Sequence, residues 1–138
     1  MAGRMLGVVD STMTREQLTY CYIASLVTQT FYVSIGGVNG SQQKVVDISG
    51  RVRVAGTGGA CTLQVFKVPS GSTVANGTLL HSGTYNLVGT VDTNQQLLLV
   101  TDQNALTLNA GDGLGYVLTG TATSAVGVIG VTLEPVAP

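Results

Sequence analysis

Charged residues are scarce in this sequence. Of its 138 residues, 9% are Asp, Glu, Lys or Arg, and six basic against seven acidic residues leave a net charge of -1. Such a chain has no broad positive surface to attract nucleic acid or anionic lipid, so we expect no nucleic-acid and no membrane partner. Because so few charges are also a weak barrier to association, we expect other subunits to cover part of the surface.

The residues of familiar catalytic and metal sites are also missing. The sequence has one histidine, His81, and no Trp. A Ser-His-Asp or Cys-His site needs a histidine beside a nucleophile, but His81 stands in a polar Leu-Leu-His-Ser-Gly stretch and no serine lies in a Gly-x-Ser-x-Gly motif. One histidine cannot hold a transition metal without further ligands. We therefore predict that the chain is not an enzyme and uses no metal or other cofactor.

The acidic residues are dispersed along the chain. Asp92, Asp102 and Asp112 stand at predicted strand ends, next to Thr, Gln or Gly residues that are typical of turns. These positions, together with Glu134, favour roles in turns and caps over a glycosidase carboxylate pair or a weak calcium site.

Cysteines and long apolar segments are few. Cys21 and Cys61 are far apart in the sequence and have no partner at metal-ligand spacing, so they are either buried free thiols, which we favour, or a disulfide. No apolar run approaches the roughly 18 residues of a membrane span, and residues 1–10 do not form a secretory signal. We expect synthesis in a reducing cytoplasm.

What the sequence does contain is the composition of strands and turns. Hydrophobic residues make up 44% of the chain, and there are 19 glycines. About eight apolar segments recur at roughly ten-residue spacing, with no helical pattern after one short turn at residues 15–18. The pattern predicts an all-β fold, an antiparallel jelly-roll-type β-sandwich over residues 19–138, preceded by an N-terminal arm at residues 1–18.

Several segments carry specific predictions. Residues 20–35 are predicted to form one long strand, and residues 44–54 a strand with Val46, Ile48, Val52 and Val54 inward. Residues 60–68 should form a hairpin with it, and residues 97–100 should be buried on both faces. Two further strands at residues 105–108 and 114–119 are predicted around a tight turn, with a last strand over residues 125–133.

Two groups of residues are candidates for protein contacts. Tyr20, Tyr22 and Tyr32 give one parity of the long strand an aromatic character, which indicates either an oligomer interface or a strand buried on both faces. Arg51 and Arg53 project beside Asp47, which predicts a small ion-pair cluster that is also a candidate partner contact. In the arm, the candidate contacts are Arg4, Met5, Leu6 and Arg15.

Four segments carry a resemblance to a known family. They are similar to small β-rich structural proteins of tailed bacteriophages, in particular the jelly-roll cement, or decoration, proteins that clamp the capsids of short-tailed phages of the Bordetella phage type. The segments are Leu-Gln-Val-Phe-Lys at 63–67, Gly-Thr-Leu-Leu at 77–80, Ala-Leu-Thr-Leu-Asn-Ala-Gly-Asp-Gly-Leu-Gly at 105–115 and Gly-Val-Ile-Gly-Val-Thr-Leu at 127–133.

This resemblance implies a structural virion protein on the capsid surface. It implies a homo-oligomer, dimer or trimer, that binds the major capsid protein on the outside of an icosahedral shell and has neither catalytic residues nor cofactors. From the low charge of 9% we predict a stable homo-oligomer, a trimer before a dimer. The alternative is a β-sandwich binding module at a phage tail or on a cell surface, which binds a receptor or a carbohydrate. The absence of Trp weakens the carbohydrate alternative, because sugar sites stack sugars on exposed aromatic rings. An enzyme is the third and least supported hypothesis.

Overall fold

Alternating apolar residues and frequent turns give an all-β chain. The computed structural model describes the backbone of residues 17–26, 29–34, 42–120 and 122–136. In these residues there are one four-residue helix, α1 (Gln103–Leu106), a single 3-10 turn at Val74–Asn76, and twelve strands. The strands are β1 (Gln17–Leu26), β2 (Gln29–Ser34), β3 (Gln43–Val54), β4 (Cys61–Val68), β5 (Thr78–Leu79), β6 (His81–Ser82), β7 (Tyr85–Asn86), β8 (Asn94–Gln96), β9 (Leu98–Leu99), β10 (Thr107–Leu108), β11 (Gly113–Gly120) and β12 (Ala122–Pro135).

Ten of these strands form the two sheets of a jelly roll. Sheet I has the order β1-β12-β3-β10, with β8 also on β3, and sheet II has the order β2-β11-β4-β5, with β7 also on β4. The antiparallel pairs β1·β12, β2·β11, β3·β10 and β4·β5 are nested in the sequence, as in a long hairpin folded over into two layers. The predicted jelly-roll-type sandwich is confirmed. Strands β6 and β9 pair with each other outside the two sheets.

The core lies between the two sheets. In β4, Cys61, Leu63 and Val65 are fully buried, as the alternation predicts, and β12 contributes a matching row to the opposite wall. Cys61 is a free thiol within this core. The row in β12 is Ala125, Ile129, Val131 and Leu133.

Strand β3 departs from the predicted inward set. Val45, Ile48 and Val52 are buried, whereas Val46 is half-buried and Val54 is 44% exposed. The reason is two irregularities in the pairing with β12. Thr132 and Leu133 of β12 face Asp47 and Val45, which leaves Val46 as an extra residue, and a second shift leaves Arg53 extra. Each extra residue changes which side chains face the core.

The predicted long strand at residues 20–35 is two strands. β1 belongs to sheet I and β2 to sheet II, so the chain passes from one layer to the other between them. Residues 27 and 28 lie outside the described part of the chain.

The two predicted strand-turn-strand units are also wrong. β3 and β4 lie in opposite sheets, as do β10 and β11, so the glycine-rich turns cross the sandwich and do not close hairpins.

Residues 103–106, expected to be free of helix, form α1, where the Asp102 carboxylate accepts a hydrogen bond from the Asn104 N–H at 2.9 Å. In the 97–100 run, Leu97 is buried but Leu98 is 74% exposed. Among the described residues, no helix has the length and apolar character to cross a membrane.

Candidate interaction face

The outward side of sheet I combines small or β-branched residues with charged ones. Its middle strand β12 places four half-buried residues outward, alternating with residues that face the core, and they are small or β-branched. On the same side, Thr132 pairs with Asp47 and Glu134 with Lys44 of β3. An open sheet surface of this kind suits contact with another protein better than the binding of a small molecule, which requires a concave site. We call this surface the outer face; its β12 residues are Val126, Val128, Gly130 and Thr132.

Strand register brings two of the predicted contact groups together on this face. Val128 pairs with Tyr22 of β1 on one side and with Arg51 of β3 on the other. Gly130 likewise pairs with Tyr20 and with Ser49. Paired residues of antiparallel strands share a face of the sheet, so the positions of Tyr20, Tyr22 and Arg51 belong to the outer face. Their role in contacts stays a prediction.

Tyr32 lies in a different place. It is in β2 of sheet II, opposite Gly115 of β11, so the three tyrosines do not share one strand face. The remaining candidates Arg4, Met5, Leu6 and Arg15 lie outside the described residues.

A shallow depression of about 290 Å³ marks one end of the outer face. Arg51 and Arg53 border it, both exposed, opposite the half-buried Val126 and Val128. Asp92 also lines the depression. Its backbone N–H donates a hydrogen bond to the Val52 carbonyl oxygen at 2.8 Å, which holds the loop against β3. Arginine beside apolar side chains is a common composition at protein interfaces.

The predicted ion-pair cluster of Asp47, Arg51 and Arg53 does not form. In the described part of the chain, the one ion pair joins Lys67 and Asp112 at 3.8 Å. Asp47 instead accepts hydrogen bonds from the Ser49 hydroxyl and from the Gln96 side-chain amide. Residues 47 and 51 are separated by about 13 Å along the strand, which disfavours direct contact between Asp47 and Arg51. Neither guanidinium group has an ion pair with a described residue.

A buried tyrosine supports the outer face from inside. Tyr85 of β7 is fully buried, and its hydroxyl donates to the Val128 carbonyl oxygen at 3.2 Å, which links the two sheets. The ring fits because residues 50 and 127 are glycines. A β-carbon at Gly127 would lie 2.8 Å from the Tyr85 hydroxyl, and one at Gly50 would lie 2.7 Å from the ring. The paired residues Val128 and Arg51 therefore lie directly over the contact that Tyr85 makes between the two sheets.

The remaining acidic groups near turns have structural roles, as the sequence predicts. Asp112 is almost buried and accepts a hydrogen bond from the Asn109 N–H at 2.8 Å, while Asp102 caps α1. Within residues 42–120 and 122–136, no three His, Cys, Asp or Glu side chains lie close enough together to hold a metal ion.

His81 is a structural residue of the core. It is 1% exposed, and its Nε2 accepts a hydrogen bond from the Val65 N–H at 3.0 Å. Nδ1 therefore carries the proton and lies 3.2 Å from the Ser82 carbonyl oxygen. Burial lowers the pKa of His81 below 6.5, against a smaller opposite effect of the backbone contacts. With both ring nitrogens bound to the backbone, this residue is not placed to shuttle protons.

The lowered pKa of His81 predicts acid sensitivity of the fold. Because the unfolded chain takes up a proton at higher pH than the folded one, the free energy of unfolding should fall as pH decreases from about 6.5 through the folded pKa, by at most about 1.4 kcal/mol per pH unit. Urea unfolding followed by tyrosine fluorescence between pH 7.5 and 5 measures this dependence.

The His81→Gln variant is the control for this prediction. It keeps a side chain able to accept from the Val65 N–H but removes the titration, so its stability should vary less over the same pH range. An identical pH dependence in both proteins would show that another group is responsible.

Sequence reasoning missed the apolar part of the face and Asp92. The valines at positions 126 and 128 were within the predicted last strand, and their outward parity was readable from the buried alternates between them. Asp92 was not identifiable, because only the fold brings the loop after β7 to the end of β3.

Comparison with known proteins reveals similar folds. No protein-family model and no curated protein matches the sequence. A chain of the cyanophage Pam1 capsid aligns over 96% of this chain and 93% of its own length, with a TM-score of 0.54 and 13% identity. A chain of the capsid of Ralstonia phage GP4 aligns over 98% and 92%, with a TM-score of 0.53 and 15% identity. At these identities the likeness establishes a shared fold.

Proposed function

We propose that this protein is a structural virion protein, a capsid cement protein that binds the outside of an icosahedral phage head and joins major capsid subunits. The observation that carries the proposal is the outer face, on which two exposed arginines have no ion pair with a described residue, on a jelly roll that aligns over most of its length with chains of two phage capsids. The protein is a homo-oligomer and catalyses nothing.

The physical basis of such a role is linkage. A protein that contacts two or more shell subunits has its full footprint only where these subunits are already joined, so its binding free energy stabilises the assembled state. Arg51 and Arg53 supply charged donors for carboxylates of the shell, and Val126 and Val128 supply apolar area between them. The predicted arm, which the structure shortens because β1 begins at Gln17, adds a second contact.

The test uses empty shells assembled from the major capsid protein encoded in the same genome. The full chain should bind shells, should not bind dissociated capsid subunits, and should raise the temperature at which shells rupture, measured by light scattering and calorimetry. Equal heat resistance with and without the protein would contradict the proposal. Tight binding of a soluble sugar, without binding to shells, would replace it with the binding-module alternative.

Deleting residues 1–10 should weaken shell binding and leave the sandwich folded. The deletion removes Arg4, Met5 and Leu6 together with their proposed contacts to the shell. The sandwich keeps all its described strands, because the first of them begins at Gln17. Sedimentation with shells measures binding, and circular dichroism confirms the fold. Unchanged binding by the truncated chain would remove the arm from the proposed contact.

A further inference from the structure

The two flanks of the sandwich differ in how their sheet edges end. On one flank, the strands beside β3 and β4 are short, with two residues in β5, β7 and β10 and three in β8. Very short edge strands are a common way to prevent a sheet from pairing with another chain. This flank therefore offers little length for such pairing.

On the opposite flank, the edge strands of the described part of the chain are long. β1 is the outermost described strand of sheet I, with ten residues, and β2 is the outermost of sheet II, with six. Their sequences, Gln-Leu-Thr-Tyr-Cys-Tyr-Ile-Ala-Ser-Leu and Gln-Thr-Phe-Tyr-Val-Ser, contain no charged residue and no proline. Charges, prolines and shortness are common devices that block edge pairing, and β1 has none of these three. Its pairing with β12 is regular from Gln17 to Ala24 and irregular only between Ala24 and Leu26.

We infer that the edge of β1 with which no described strand pairs binds β1 of a second copy of this chain, antiparallel and around a two-fold axis. Sheet I then continues from one protomer into the other, and the outer face becomes one surface that spans both. The inference rests on the homo-oligomer of the proposed function and names its contact.

Self-pairing is favoured over another occupant because of the composition of β1. When two identical strands pair antiparallel, residues whose numbers add up to a constant lie opposite each other. A charged residue near the two-fold axis would then face its own copy, which is unfavourable, whereas β1 has no charge at any position. Tyrosine and β-branched residues form favourable cross-strand pairs. Two-fold symmetry makes the assembly a dimer and not the trimer that the sequence favours.

Mass measurement with two neighbouring proline variants tests the edge contact. The full chain should have twice its 14.1 kDa mass at micromolar concentration by light scattering after size exclusion. Residues along an edge strand alternately direct their N–H toward the neighbouring strand and away from it. Of Cys21→Pro and Tyr22→Pro, one should remove an outward N–H and give a folded monomer, and the other should weaken the pairing with β12 and destabilise the fold. If the more stably folded of the two variants is still dimeric, the inference is overturned.

Cysteine cross-linking tests the symmetry without depending on the proline variants. In a Cys21→Ser background, single cysteines are introduced in turn at positions 18 to 25 of the full chain and oxidised; Cys61 stays buried. Two-fold antiparallel pairing predicts disulfide-linked dimers at one or two adjacent positions, with yields that fall on both sides. Equal yields along the strand, or no cross-link at any position, overturn it.

These outcomes are separable from the proposed function. The dimer is measured on the purified chain alone, and shell binding is measured independently. A dimer that does not bind shells supports the edge contact and contradicts the cement role. A monomer that binds shells contradicts the edge contact and supports binding to the capsid.

Discussion

Replacing both Arg51 and Arg53 by glutamine should reduce shell binding by about 100-fold, which corresponds to about 1.4 kcal/mol for each arginine. Both side chains are exposed at the depression of the outer face and have no ion pair with a described residue, so the folded chain does not depend on them. Charge-assisted hydrogen bonds to shell carboxylates would be lost, while the apolar contact of Val126 and Val128 would remain. Sedimentation with shells at several salt concentrations measures the affinity.

A matched control separates the arginines from net charge. The double glutamine variant changes the formal net charge from -1 to -3, because two positive charges are removed. Thr78→Glu with Thr84→Glu produces the same change at two exposed positions away from β3 and β12. This control should bind within about twofold of the unchanged chain, since distant surface charges are largely screened. Equal losses in both variants would assign the effect to net charge and exclude a contact of the outer face.

Replacing Gly50 by alanine should cost about 3 kcal/mol of unfolding free energy, the upper part of the range for overfilling a packed site. The added β-carbon would meet the Val128 carbonyl oxygen and would lie 2.7 Å from Tyr85 Cε2 and 3.0 Å from Ile129 Cα. Two of these three atoms are backbone, and the tyrosine is held by its bond to Val128, so none of them yields easily. Chemical denaturation followed by tyrosine fluorescence measures the loss.

The same substitution at Gly59 is the control. A β-carbon there meets no atom within 4 Å, and the backbone is not in the left-handed region, so the change should be within about 0.5 kcal/mol. Tyr85→Phe should cost about 0.5–1.5 kcal/mol, because it removes the hydrogen bond and keeps the ring. If Gly50→Ala were no more costly than Gly59→Ala, the tight contact of Tyr85 with sheet I would be wrong.

Part of the candidate site could be predicted from the sequence. The alternation in residues 44–54 placed Arg51 and Arg53 outward, and the structure has both exposed. The same alternation failed at Val46 and Val54, because the pairing of β3 with β12 shifts by one residue at two places. A shift of this kind depends on the partner strand, which the local pattern does not identify.

Long-range pairing also explains the other failures. The glycine-rich turn before Cys61 has the composition of a hairpin, but it leads from sheet I to sheet II. Leu98 follows a buried leucine in an apolar run, yet it is exposed because β9 pairs with β6 outside both main sheets. Turn chemistry determines where a strand ends, and it does not determine in which layer the next strand lies.

By itself, the sequence determined the class of the protein. Its composition and period-2 patterns indicate strands, because these properties are local and can be counted. The tertiary structure alone decided that β1, from one end of the chain, pairs with β12, from the other. That pairing positions Tyr22, Val128 and Arg51 in one row and leaves β1 as a long edge. Many pairings satisfy the same alternation, and only the packing of the complete core selects one of them.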